Sequence, residues 1–238
     1  MGQKKEPDIP AISCRICKES EDPKNHQGTT MDDKSPITVI DYGVGNIASV
    51  LKMIRFVGGE AEASASPDTV RNARMLILPG VGSFDAGMTA LHKTGMDAAV
   101  KDAAANGATI LGICLGMQLF MESSEEGTLG GLGLVRGRVK KLSLENQNLR
   151  VPHMGWNIVR PARPTRIFEG NAEEQRFYFV HSYYVECDDP QDIAAITHYG
   201  RDFTSAIEHD GHIIGVQFHP EKSHRFGINL FRRLLGAT

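Results

Sequence analysis

Cysteine is scarce in this chain: four in 238 residues, Cys14, Cys17, Cys114 and Cys187. So few, so scattered, do not form a disulfide framework, and they predict a reducing, cytoplasmic home. An excess of one charge is also missing. The 26 Lys and Arg against 29 Asp and Glu leave a formal net charge of -3, which gives no reason to expect nucleic acid or a charged membrane surface as partner. No run approaches the ~20 apolar residues that span a bilayer, so no membrane partner is expected. The opening Met1-Gly-Gln-Lys-Lys-Glu-Pro-Asp lacks the apolar segment of a secretory signal. There is no internal repeat and no low-complexity linker after residue 35. Tryptophan occurs once, as Trp156.

What is present divides the chain at residue 35. Residues 1–35 are rich in Lys, Glu, Asp, Pro and Ser and are expected to be an N-terminal tail without fixed structure. Cys14-Arg-Ile-Cys17 within it has no second pair at zinc-site spacing, so no metal is expected. Residues 36–238 are expected to form one domain. Its first half alternates apolar strand-like runs (Ile37–Asp41, Glu60–Ser64, Met75–Leu78, Thr109–Ile113) with helical patterns (Ile47–Phe56, Phe84–Lys93, Met96–Ala105). That alternation predicts an α/β fold, a mostly parallel sheet flanked by helices. Beyond a glycine-rich, flexible loop over Glu125–Gly133, short strand-like runs follow with few helices between them. Antiparallel C-terminal additions on the same sheet are therefore expected, with a hairpin at Asp210-Gly211 and a closing helix over Ser223–Leu235.

The chemistry concentrates at Gly112-Ile-Cys114-Leu-Gly116, where an apolar strand meets a helical pattern predicted over Leu115–Glu122. Glycines on either side let a strand reverse sharply into a helix and lift the central side chain clear of the sheet, the thiol form of a nucleophile elbow. The helix N-terminus favours thiolate. Such a nucleophile needs a base, a group to orient the base, and N–H donors for an oxyanion. His219 ends the run Ile213–Phe218 and precedes Pro220-Glu221. In an extended segment residues two apart share a side, so Glu221 is placed beside His219. The oxyanion donors would be the N–H of Leu115 and one from Gly80 or Val81, in the loop Pro79-Gly-Val-Gly-Ser-Phe84. A peptide flip there would nearly switch the site off, since one lost donor costs about 10²–10³ in rate.

Six segments together resemble class I glutamine amidotransferases: Asp41–Asn46, Pro79–Phe84, Gly112–Leu119, Pro152-His-Met-Gly-Trp-Asn157, Phe177-Tyr-Phe-Val-His-Ser-Tyr-Tyr184 and Gly215-Val-Gln-Phe-His-Pro-Glu-Lys-Ser223. More narrowly they are similar to the glutaminase subunits of imidazole glycerol phosphate synthase. The resemblance spans residues 36–238. It implies glutamine hydrolysis through a thioester on Cys114, with His219 and Glu221 completing the catalytic set and no cofactor. Gly82, Gln118, Glu126, His181, Ser182 and Tyr183 match the family's substrate-binding positions. Met154, Trp156 and Asn157 match its face toward a (β/α)₈-barrel cyclase. That heterodimer partner would receive the ammonia and make imidazole glycerol phosphate and aminoimidazole-carboxamide ribotide, in histidine biosynthesis. The alternative is a paralogue supplying ammonia for aminosugar or surface-polysaccharide synthesis.

Overall fold

The computed structural model describes residues 36–144, 149–168 and 174–236, all within one compact unit. The expected tail, with Cys14 and Cys17, lies outside them. β1 (Ile37–Ile40) leads to α1 (Ile47–Phe56), where the Asn46 side chain accepts the Ser49 N–H at 3.4 Å. β2 (Ala61–Ser64) is followed by α2 (Pro67–Asn72), a helix the sequence reading passed over. Its start signal was there: Ser66 caps it and Pro67 sits in the first turn. β3 (Met75–Gly80), α3 (Phe84–Thr94), α4 (Met96–Ala105), β4 (Thr109–Cys114) and α5 (Leu115–Gln118) complete the first half. The second half holds β5 (Ser123–Ser124), β6 (Gly137–Lys141), β7 (His153–Pro161), β8 (Gln175–His181), β9 (Tyr183–Cys187), β10 (Ile193–His198), β11 (Asp202–His209), β12 (Ile213–Val216) and α6 (His224–Leu234).

Among the described residues these twelve strands connect into one sheet along the path β2-β1-β3-β4-β12-β11-β10-β7-β8, with β5, β6 and β9 branching from it. β2 to β12 on that path are parallel, and β12 through β8 are antiparallel. One detail corrects the expectation for the second half: its last strand, β12, joins the parallel core beside β4. The core explains why the parallel strands read as unbroken apolar runs. In β3, Leu76 and Leu78 face α3 and α4 (Phe84, Met88, Leu91, Val100), while Met75 and Ile77 face α1 and α6 (Val50, Ile54, Leu230, Phe231). A strand covered on both faces has no polar side to alternate with. The β11–β12 turn is the expected hairpin, with φ 49° at Asp210 and 71° at Gly211.

Two further expectations change. The helix predicted over Leu115–Glu122 ends at Gln118. The N–H groups of Phe120 and Met121 donate three residues back, to the Met117 and Gln118 carbonyls, so the chain tightens out of the helix there. The carbonyls of Leu119, Phe120, Met121 and Glu122 are taken by N–H groups of Leu132, Leu134, Gly133 and Gly131. The Glu125–Gly133 loop is also held, since the Asp85 carboxylate accepts the N–H groups of Thr128 and Leu129 at about 3.0 Å.

Candidate active site

Cys114 is the last residue of β4 and has φ 56°. Left-handed backbone at a non-glycine costs about 1–3 kcal/mol and persists only where the surroundings impose it. Here β4 is held between β3 and β12, and the flanking glycines permit the close turn. A Cβ on Gly116 would collide with the Leu78 carbonyl, and one on Gly112 would lie 2.6 Å from the Phe120 ring. The elbow therefore needs both glycines for space. Gly80 pairs with Cys114 across β3 and β4, and a Cβ there would lie 2.8 Å from the Gly116 nitrogen. The Tyr42 hydroxyl donates to the Pro79 carbonyl at 2.8 Å, which anchors this glycine loop from β1's side. Its phenol is pushed well above the usual range by burial and by the nearby Cys114 charge.

His219 reaches the site differently from the sequence expectation. β12 ends at Val216, and Pro220–Lys222 form a 3-10 turn, not an extended strand end. The turn still brings Glu221 Oε1 to 2.9 Å from His219 Nδ1, with both side chains almost fully buried. A carboxylate on Nδ1 leaves Nε2 toward the thiol. Nε2 makes no well-formed hydrogen bond to a protein oxygen or nitrogen, and Cys114 is the group that acts on it. Burial pulls the imidazole pKa down, but the hydrogen bonds and charges of Cys114 and Glu221 outweigh it and hold it at about 9. At neutral pH this is an imidazolium facing the cysteine. Ser223, which sequence reading missed, fixes the histidine's backbone: its hydroxyl donates to the His219 carbonyl at 2.6 Å and accepts the Tyr178 N–H at 3.0 Å.

A cavity of about 330 Å³ opens over Cys114. It is lined by ten of the twelve catalytic, oxyanion and substrate residues expected from sequence: Val81, Gly82, Cys114, Leu115, Gln118, Glu126, His181, Ser182, Tyr183 and His219. Gly80 and Glu221 do not line it but border a small separate space with Val81 and His219; Pro152 and Val180 are additions. The Leu115 N–H stands at the first turn of α5, where it has no intrahelical partner. The set can perform acyl transfer, with a cysteine nucleophile beside an imidazolium and the Leu115 N–H, without an intrahelical partner, at the start of α5.

The class I glutamine amidotransferase family model matches residues 38–234. The chain belongs to this family. It is 46% identical over 200 residues to imidazole glycerol phosphate synthase subunit HisH 2 of Methanococcus maripaludis, covering 84% of this chain and 98% of that one. The protein of the same name from Pseudomonas aeruginosa is 48% identical over 201 residues, with the same coverage. The solved structure of PurLQS from Thermotoga maritima shares the fold, with a TM-score of 0.65 at 19% identity, over 84% of this chain and 97% of that one.

Within this amidotransferase fold the remaining predicted residues separate by environment. Gln118 is buried, and its amide nitrogen donates to the Tyr183 carbonyl and to Gln217 Oε1, each at 3.0 Å. Gln217 was not anticipated; its own amide nitrogen lies 3.7 Å from the Cys114 sulfur. Glu126 Oε2 accepts the Phe84 N–H at 2.8 Å, which sets the carboxylate at the start of α3 and at the cavity rim. Met154 and Trp156 are 61% and 47% exposed, the former large and apolar with no cover. Trp156 stacks on His224 at 5.4 Å. Asn157 is partly buried, donates to the His198 carbonyl at 2.9 Å, and lines the same hollow as Met154 and Trp156. No helix among the described residues is long and apolar enough to cross a membrane.

Proposed function

We propose that this chain is the glutamine amidotransferase subunit of imidazole glycerol phosphate synthase, acting in the cytoplasm on glutamine and delivering ammonia to a (β/α)₈-barrel cyclase in a heterodimer. The observation that carries the reading is the buried Cys114–His219–Glu221 set under a cavity of glutamine-accommodating size, in a chain 46–48% identical to two such subunits over nearly their whole length. The thiolate of Cys114 attacks the amide carbon of glutamine. The oxyanion is met by the N–H of Leu115 and by one from Gly80 or Val81. Collapse of the tetrahedral species expels ammonia as the His219 imidazolium donates its proton. The now neutral His219 takes a proton from water, which attacks the thioester and releases glutamate. Glu221 keeps the tautomer and supports the imidazolium.

Glutamine recognition follows from charge. Glu126 is the carboxylate for the substrate ammonium, while Gly82, His181, Ser182 and Tyr183 border the rest of the molecule. Met154 and Trp156 form the partner-facing edge, an exposed aromatic anchor of the kind found at binding hot spots. The deciding experiment mixes the chain with the histidine-pathway cyclase and its nucleotide substrate. Glutamine-dependent formation of imidazole glycerol phosphate supports the assignment. No stimulation of glutaminase, and no product from glutamine where free ammonia does give it, would point to an aminosugar paralogue.

A further inference from the structure

His153 lies on β7 behind the cavity wall, only 2% exposed, with its ring between those of Phe179 at 4.8 Å and Tyr199 at 4.0 Å. Its Nδ1 is 2.9 Å from His181 Nε2, a pair of buried imidazoles in direct contact. The protons on this pair can be assigned from its neighbours. His181 Nδ1 is 2.8 Å from the Tyr183 carbonyl, which can only accept, so Nδ1 carries the hydrogen. At the other end, Asn157 Oδ1 accepts the Ile158 N–H at 2.7 Å, which fixes the amide's orientation. Its nitrogen therefore faces His153 Nε2 at 3.2 Å as a donor. Both nitrogens at the ends of the pair are thus settled. His153 must be neutral with its hydrogen on Nδ1, and His181 neutral with its hydrogen on its own Nδ1. Burial favours the same neutral forms.

The donors then run in one direction: Asn157 to His153, His153 to His181, His181 to the Tyr183 carbonyl. That carbonyl also receives Gln118, which donates onward to Gln217, whose amide nitrogen approaches the Cys114 sulfur. His181 and Tyr183 border the catalytic cavity, while His153 and Asn157 border a second hollow of about 390 Å³ beside Met154 and Trp156. We propose that His153 is a positioning residue for the glutamine site, whose single donated hydrogen to His181 holds the His181–Tyr183 wall and, through the Tyr183 carbonyl, Gln118 and Gln217 in register with Cys114. The inference rests on the reading of this cavity as the glutamine site.

The test compares His153→Phe with His153→Asn in the full chain with its cyclase, following glutamine turnover. Phenylalanine keeps the ring stack and deletes the donor. Asparagine loses the stack and can place an amide N–H near the Nδ1 position. Leaving buried His181 Nε2 without its donor is expected to lower kcat/KM for glutamine about tenfold, mainly through KM. The asparagine variant is expected to stay within about threefold of wild type. Alkylation of Cys114 by iodoacetamide, which needs no substrate wall, is expected to change less than about twofold in both, by the same bookkeeping. A purely structural role predicts the reverse order, with phenylalanine the better tolerated. That order, or kcat/KM unchanged in both variants, overturns the proposal. Should the phenylalanine variant not fold, His153→Gln, whose amide reaches toward Asn157 and not His181, takes its place with the same expected loss. Wild-type chain without glutamine turnover would instead sink the function reading, before any variant is compared.

Discussion

Gly80→Ala perturbs the oxyanion side of the site without touching the catalytic set. A Cβ at this position would stand 2.8 Å from the Gly116 nitrogen, 2.8 Å from Leu115 Cβ and 3.0 Å from the Tyr42 hydroxyl. Two of these neighbours are the first residues of α5, so relief requires the β3 end and the helix N-terminus to separate by roughly half an ångström or more. Overpacking of this kind costs about 1–3 kcal/mol of stability. It also shifts the two backbone segments that must converge on one oxygen. Loss of a single oxyanion donor costs about 10²–10³ in kcat, and the expected fall for Gly80→Ala is of that size. Steady-state glutaminase with the cyclase present measures it. Iodoacetamide alkylation supplies the control, because displacement by a thiolate builds no oxyanion. A hundredfold loss of turnover with alkylation within about threefold supports the account. Near-normal turnover in a folded Gly80→Ala protein would refute the placement of the oxyanion donors at this loop.

Further outcomes follow from the geometry and electrostatics. Gly116→Ala drives a Cβ into the Leu78 carbonyl, and soluble expression or a thermal melt is expected to reveal a loss of more than about 3 kcal/mol. The kcat/KM profile is expected to fall as pH rises through about 9, as His219 loses the proton it gives to ammonia. Because that pKa is raised on folding, the stability the pair contributes is full below about 6.5 and is lost as pH rises through about 9. His153 and His181 act in the opposite sense: burial lowers them to about 4 and about 3, so the unfolded chain takes up protons first as pH falls. Unfolding free energy is expected to decline between pH ~6.5 and ~4 at up to about 1.4 kcal/mol per pH unit for each histidine, readable by urea titration, and His153→Asn should flatten that slope.

Much of this was legible because local signals and global fold agree. The elbow glycines announce a close turn, and the structure shows the carbonyl and ring that would collide with any side chain there. Asp210-Gly211 carries the positive φ values that its dipeptide suggests. His219 and Glu221 were paired correctly but for the wrong geometric reason, since a turn begun by Pro220 brings them together. What stayed hidden depends on distant partners. The segment expected to continue α5 is bound elsewhere, its Leu119–Glu122 carbonyls held by N–H groups of residues 131–134. The roles of Ser223, Gln217 and His153 come from contacts with Tyr178, Cys114 and His181, far away in the chain. A polar residue in a buried run announces that it needs a partner, but not which one.

The central claim is that Cys114 carries the glutamyl group. Mass spectrometry of acid-quenched enzyme mixed with glutamine and the cyclase tests it most directly. The account predicts a γ-glutamyl adduct on the peptide containing Cys114, discharged by hydroxylamine and absent in Cys114→Ser. Glutamine turnover that survives Cys114→Ser, or an adduct on any other residue, would contradict it.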